Sequence, residues 1–207
     1  MRNNSKRIKL LICVLISLAS LGIATAQSGP VKLELVSDTS SVSPGLTFKV
    51  SVKATIAKDW HIYWTGPGEN GLPTEVSWTV PDEFEASPTE YPTPHKTVQS
   101  FPGITLTSHT YEKTVYFTTN ITAPNNIDEL KTIKVLALVD WQACKETCLP
   151  PVTTPLSIDL NIGPATATLE SESILSDWNK SQSQLPLIKA LARTDFGNLE
   201  ISSKLSE

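Results

Sequence analysis

The sequence is poor in cysteine, in basic charge and in long apolar runs, and each shortage excludes something. Lys and Arg number 17 against 21 Asp and Glu, a formal charge of −4. Four of the basic residues, Arg2, Lys6, Arg7 and Lys9, lie in the first nine positions, and without them the charge falls to −8. Such a chain carries no electrostatic footprint for nucleic acid or for an anionic membrane surface. Its longest apolar run, residues 10–23, is too short for a membrane span. Flanked by the basic start and by Ala24-Thr25-Ala26, it reads instead as a secretory signal peptide, residues 1–26. No Gly-Lys-Ser/Thr phosphate loop is present, and no serine nucleophile elbow. The acids are dispersed, so nothing supports paired-carboxylate hydrolysis. No internal repeat is visible.

What is there is alternation with a period of two. Phe48, Val50, Val52, Ala54 and Ile56 alternate with Thr47, Lys49, Ser51, Lys53 and Thr55. Val76, Trp78 and Val80 do the same, as do Leu156, Ile158, Leu160 and Ile162. Each segment predicts a strand with one buried and one wet face. Further strands are predicted at Val31–Val36, Trp60–Trp64, Tyr111–Thr119 and Lys131–Gln142. Turn clusters such as Ser43-Pro44-Gly45, Gly66–Gly71, Pro92–Pro94 and Pro102-Gly103 separate them. Seven or more short strands and 15 prolines predict an all-β antiparallel sandwich and argue against a helical bundle. After Gly163-Pro164 the composition turns to Ala, Ser, Thr and Glu. The expected organisation is therefore a leader over 1–26, a sandwich over 27–163, and a helical or irregular extension over 164–207. A short helix is expected around Ser171–Lys180, and residues 197–205 could form one more strand.

Removal of the leader takes Cys13 with it and leaves Cys144 and Cys148, four residues apart in an exported chain. On a straight strand their Cα atoms would sit about 13 Å apart. A disulfide needs about 4.4–6.8 Å, so a bridge requires the chain to turn back there. The closed loop is short, and chain entropy assigns it about 2 kcal/mol. Spacing alone leaves three readings open: a small structural disulfide, a redox pair, or a metal pair. In the preceding strand Ile133, Val135, Ala137, Val139 and Trp141 share the core face. Parity places Cys144 with Asp140 and Gln142, away from the core. Lys145 follows the first sulfur, which favours Cys144 slightly as the attacking thiolate. Upstream, Trp60, Ile62 and Trp64 alternate with His61 and Tyr63 before a glycine- and proline-rich loop. That segment is either core aromatics and a turn, or a rim beside the cysteines. The spacing of His61, His95 and His109 supports no specific metal site. Asn120-Ile-Thr122 matches a glycosylation sequon, a frequent chance match.

Taken together, WHIYWTGPGENGLPTEVSW (60–78) and DWQACKETCLP (140–150) resemble the amino-terminal domain of DsbD-type thiol:disulfide interchange proteins, and most closely their suppressor-of-copper-sensitivity branch. The resemblance covers about residues 31–163. It implies an immunoglobulin-like sandwich in the bacterial periplasm with Cys144 and Cys148 as its redox-active pair and no cofactor. It also implies reducing equivalents drawn from a membrane electron-transfer domain, in cis or in trans. They would pass on to periplasmic thioredoxin-like or disulfide isomerase proteins or to cytochrome-maturation proteins. Asp140 for proton transfer, Lys145 beside the sulfur, and Tyr63 or His61 as shields are the supporting residues expected. A non-catalytic interaction module and a copper-handling domain are the competing expectations. Residues 164–207 resemble the start of the next segment of longer members, so the chain is expected to be a front end.

Overall fold

The structure is a computed structural model that describes residues 29–127, 132–177 and 179. Among the described residues twelve strands follow one another: β1 (Val31–Ser37), β2 (Ser41–Val42), β3 (Thr47–Ile56), β4 (His61–Gly68), β5 (Glu75–Thr79), β6 (Glu85–Ala86), β7 (His95–Phe101), β8 (Ile104–Tyr111), β9 (Thr114–Thr122), β10 (Thr132–Trp141), β11 (Ala143–Cys144) and β12 (Val152–Ile162). They form three four-stranded sheets, ordered β1-β3-β9-β6, β2-β12-β10-β5 and β11-β4-β8-β7. All pairings are antiparallel except the two-residue contact of β12 with β2.

The alternation in the sequence explains the first two sheets. In β10, residues 133, 135, 137, 139 and 141 are buried and their neighbours exposed, as the period-two pattern requires. Ile133 and Val135 pack with Phe48, Val50 and Ile121 in one cluster. Ala137, Val139 and Trp141 pack with Val52, Ala54 and Phe117 in the other. Burial of these apolar faces, at about 25 cal/mol per Å², holds the two sheets together. The third sheet closes one end of the larger cluster through Ile62, Tyr111 and Ala143.

The hairpin of β7 and β8 has no counterpart among the predicted strands. Its sequence, HKTVQSF and ITLTSHTY, is mostly polar, so it lacks the apolar alternation that marks the others. Gly66–Gly71, expected as a turn, is in its first half a continuation of β4 through Gly68. A short helix occupies residues 171–177. Its Ile174 is fully buried, and Glu170 just before it pairs with Lys53 at 2.7 Å and accepts a hydrogen bond from Tyr116 at 2.8 Å. Backbone hydrogen bonds from Ser40 to Thr166 and from Thr168 to Asp38 tie this stretch to the sandwich. The leader at 1–26 and the strand expected at 197–205 lie outside the described residues. Among the described residues no helix is long and apolar enough to cross a membrane. The architecture is an all-β, immunoglobulin-like sandwich with a short helix after it.

Candidate functional site

The site sits where the chain passes from the second sheet to the third. β10 pairs with β5 as far as Asp140 and with β12 as far as Trp141, while Ala143 and Cys144 pair with Ile62 and His61 of β4. Gln142 is the crossing residue. Beyond it the chain doubles back: Cys144 and Cys148 form an isolated bridge, their Cα atoms 4.0 Å apart, and their sulfurs are joined as a disulfide. The Leu149 N–H donates to the Ala143 carbonyl at 2.9 Å and the Lys145 N–H to the Thr147 carbonyl at 3.2 Å. These bonds satisfy the backbone of a tight hairpin, the reversal that the spacing demanded.

The two sulfurs are unequal. Cys144 is 2% exposed, whereas Cys148 lies in the run of exposed residues 145–150. Parity had put Cys144 on the wet side. It does lie outside both core clusters, in register with His61. The expectation fails because that side of β4 is covered as well. Tyr63, on the same face two residues further on, is only 1% exposed. The loop after β4 folds over it so closely that a Cβ on Gly71 would overlap the phenol ring. Gly71 also has φ of +87°, a left-handed conformation that favours glycine.

Tyr63 Oη lies 3.8 Å from the Cys148 sulfur and 3.3 Å from His61 Nε2, and the two rings meet edge to face. The structure thus brings His61, Tyr63, Cys144 and Cys148 into one cluster. Burial pushes the Tyr63 hydroxyl above the ordinary phenol range, so it stays a donor at neutral pH. Burial also pulls His61 below the usual imidazole range, against a smaller opposing effect of the Glu112 carboxylate. Lys145 turns away: its ammonium lies 3.4 Å from the Asp59 carboxylate. Asp140 is exposed on the outer face of β10, and its carboxylate accepts a hydrogen bond from Thr153 on β12. His109 packs on Trp64 and its Nδ1 lies 3.1 Å from the Gly66 carbonyl, a packing role. Among the described residues no group of three or more His, Cys, Asp and Glu is arranged to hold a metal ion.

Sequence reasoning passed over Gln142. Its Oε1 accepts the Leu72 N–H at 3.2 Å, and its Nε2 donates to the Leu149 carbonyl at 3.0 Å. One amide therefore ties the glycine loop to the cysteine hairpin. The signal available in the sequence was its place at the end of a regular strand, two residues before Cys144.

No curated protein matches the sequence. Among solved structures, the N-terminal periplasmic domain of ScsB from Proteus mirabilis is similar at 20% identity and a TM-score of 0.46. That match covers 78% of this chain and 56% of the other, so the chain spans just over half of that relative's length. The reduced N-terminal domain of Neisseria meningitidis DsbD is similar at 15% identity and a TM-score of 0.36, over 64% of this chain and 89% of that one. The same Neisseria domain in complex with the PilB N-terminal domain gives 13% identity and 0.36, over 65% and 88%. The family described as thiol:disulfide interchange protein DsbD, N-terminal, matches residues 31–159, well over half of the sequence, and the chain belongs to that family.

Proposed function

We propose that this domain exchanges a dithiol for a disulfide with thioredoxin-like or disulfide isomerase proteins, and that exchange takes place at Cys148. The observation that carries this is the asymmetry of the pair, one sulfur exposed at a hairpin tip and the other buried behind it. A donor's thiolate attacks the Cys148 sulfur. The intramolecular S–S bond breaks and its electron pair leaves on Cys144. The donor's second thiolate then attacks its own sulfur in the mixed disulfide and releases the Cys148 thiolate. Two electrons have entered the domain, two protons complete the dithiol, and the donor leaves as a disulfide. In the forward step Cys148 attacks an acceptor's disulfide and Cys144 resolves the mixed disulfide. The leader read at residues 1–26 would deliver the domain to the periplasm, the compartment that the family resemblance implies. A membrane electron-transfer domain would recharge it.

Burial of Cys144 makes Cys148 the favoured attacker, in place of the residue that strand parity and Lys145 had favoured. We assign no step to Asp140 or Lys145, whose partners are Thr153 and Asp59. Two measurements test the reading. A redox titration of the purified chain is expected to place the pair at about −200 mV. A value below about −300 mV would mark a structural bridge and overturn the proposal. The Cys144→Ser variant, which keeps the exposed sulfur, is expected to trap a periplasmic thioredoxin-like protein as a mixed disulfide, while Cys148→Ser traps none. Equal trapping by both, or by neither, would count against exchange at Cys148.

A further inference from the structure

Gln142, Leu72, Gly71, Tyr63, Cys148 and Leu149 form a closed ring of contacts. The Gln142 amide holds the Leu72 N–H at one end and the Leu149 carbonyl at the other. Gly71 precedes Leu72 and lies against the Tyr63 ring. The Tyr63 hydroxyl meets the Cys148 sulfur, and Leu149 is the next residue after Cys148. An amide can accept from an N–H and donate to a carbonyl at once in one orientation only, so both bonds assign the same placement of its oxygen and nitrogen. No other side chain in this ring bonds both segments.

We infer that Gln142 is a positioning residue for the exchange: by latching the glycine loop to the cysteine hairpin, its amide holds the Tyr63 hydroxyl against the Cys148 sulfur. The purpose of the latch rests on the exchange reading above. A phenolic O–H that donates to sulfur favours thiolate over thiol, and thiolate is the attacking form. With the latch gone, the loop keeps its bonds to β8 and to the Tyr63 carbonyl through Glu69 and Thr74 but loses its tie to the cysteine hairpin, so hydroxyl and sulfur are no longer held against each other. Several ionisable groups lie around that sulfur. Tyr63 and, behind it, His61 belong to β4, and the Glu112 carboxylate acts on His61. Lys145 and Glu146 belong to the hairpin, with Lys145 held by Asp59. None of these charges is altered by a neutral substitution at position 142.

The test is alkylation of the reduced full chain by iodoacetamide at pH 7 and at pH 9.5, followed on the Cys148 peptide. The rate at high pH reads access to the sulfur, and the ratio of the two rates reads the thiolate fraction. Gln142→Ala is expected to lower the ratio by about threefold or more, and Tyr63→Phe likewise. The double variant is expected to match Tyr63→Phe within about twofold, because one residue acts through the other. Should Gln142→Ala fail to fold, Gln142→Asn, neutral and one methylene too short to reach both partners, carries the same expectation. An unchanged ratio in the Gln142 variant, or effects of the two positions that multiply, would overturn the inference. Alkylation involves no partner protein. Failure of mixed-disulfide trapping with a normal ratio shift would remove the exchange reading and leave the latch, and the reverse result would do the opposite.

Discussion

The pairing of β3 with β9 and the pairing of β4 with β8 differ in one respect, and the site follows from it. β3 and β9 run through nine consecutive pairs, Thr47↔Thr122 to Thr55↔Thr114, without a break. β4 and β8 pair at Ile62↔Tyr111 and Tyr63↔Thr110, and next at Gly68↔Ser108. Five steps along β4 answer two along β8, so residues are extruded between Tyr63 and Gly68. An unbroken ladder sends every side chain to one of two faces already set by the period. A broken one frees backbone to bend, which bulges commonly do beside functional sites. Here the freed segment turns back over Tyr63, and Gly68 at φ +91° and Gly71 at φ +87° allow it to do so. A Cβ at Gly68 would overlap the Thr107 carbonyl, as one at Gly71 would overlap the Tyr63 ring. The regular region holds much of the buried apolar core, and the proposed exchange lies in the irregular one.

The largest effect that would test this division is in the regular region. Phe117 is fully buried and packs between Tyr91 and Tyr111. Phe117→Ala is expected to cost about 3–5 kcal/mol, from lost transfer energy and the cavity left behind. Urea unfolding with the disulfide intact measures it. A loss under about 1 kcal/mol would show that the sandwich core is not where the stability resides.

The same measurement on the irregular region should give less. Replacing both Cys144 and Cys148 by serine removes a bridge that closes a five-residue loop, worth at most about 2 kcal/mol by chain entropy. The double variant is expected to keep its far-ultraviolet circular dichroism and to unfold cooperatively. A loss well beyond that estimate would make the disulfide a structural element and erase the contrast between the regions.

The pH dependence is smaller again. Burial lowers His61 below its ordinary value near 6.5, so the folded state binds the proton less readily than the unfolded chain. The contribution of neutral His61 is fully present above about pH 6.5 and is lost as the pH falls through the lower folded value. Stability of the natural chain is therefore expected to decline more steeply below pH 6.5 than that of His61→Gln. Parallel profiles would show that His61 is not the group titrating there.

The regular region was legible in the sequence, and the site was legible in its parts. Val50, Val52, Ala54, Ile133, Val135 and Val139 announce their faces because apolar residues recur at every second position, although Leu136 and Leu138 also place apolar side chains on the exposed face of β10. Cys144 and Cys148 were visible from spacing, and the need for a reversal between them followed from strand geometry. The burial of Cys144 was not visible, because the chain leaves the sheet of β10 there and pairs Cys144 with His61 of β4. The bonds of Gln142 were hidden because both of its partners are backbone groups, which no side-chain pattern reports. The β7–β8 hairpin escaped because Thr97, Thr110 and Ser108 line it where apolar residues would have signalled a strand.

The smallest effect concerns Lys145. Its place beside Cys144 favoured a role in activating sulfur, yet the ammonium lies 3.4 Å from the Asp59 carboxylate. The two side chains are 44% and 56% exposed, and an ion pair so open to water is worth no more than about 1 kcal/mol. Lys145→Ala is therefore expected to shift stability by less than that and to leave the Cys148 alkylation rate within about twofold. Asp59 sits at φ +67°, a conformation that asparagine tolerates, so Asp59→Asn releases the lysine without straining the turn. Should Asp59→Asn raise the alkylation rate several-fold and Lys145→Ala abolish that rise, the freed ammonium reaches the sulfur. The carboxylate would then be what restrains it in the natural chain. Should neither variant move the rate, the electrostatics of the irregular region act on Cys148 through Tyr63 and His61 rather than through the hairpin's own charges.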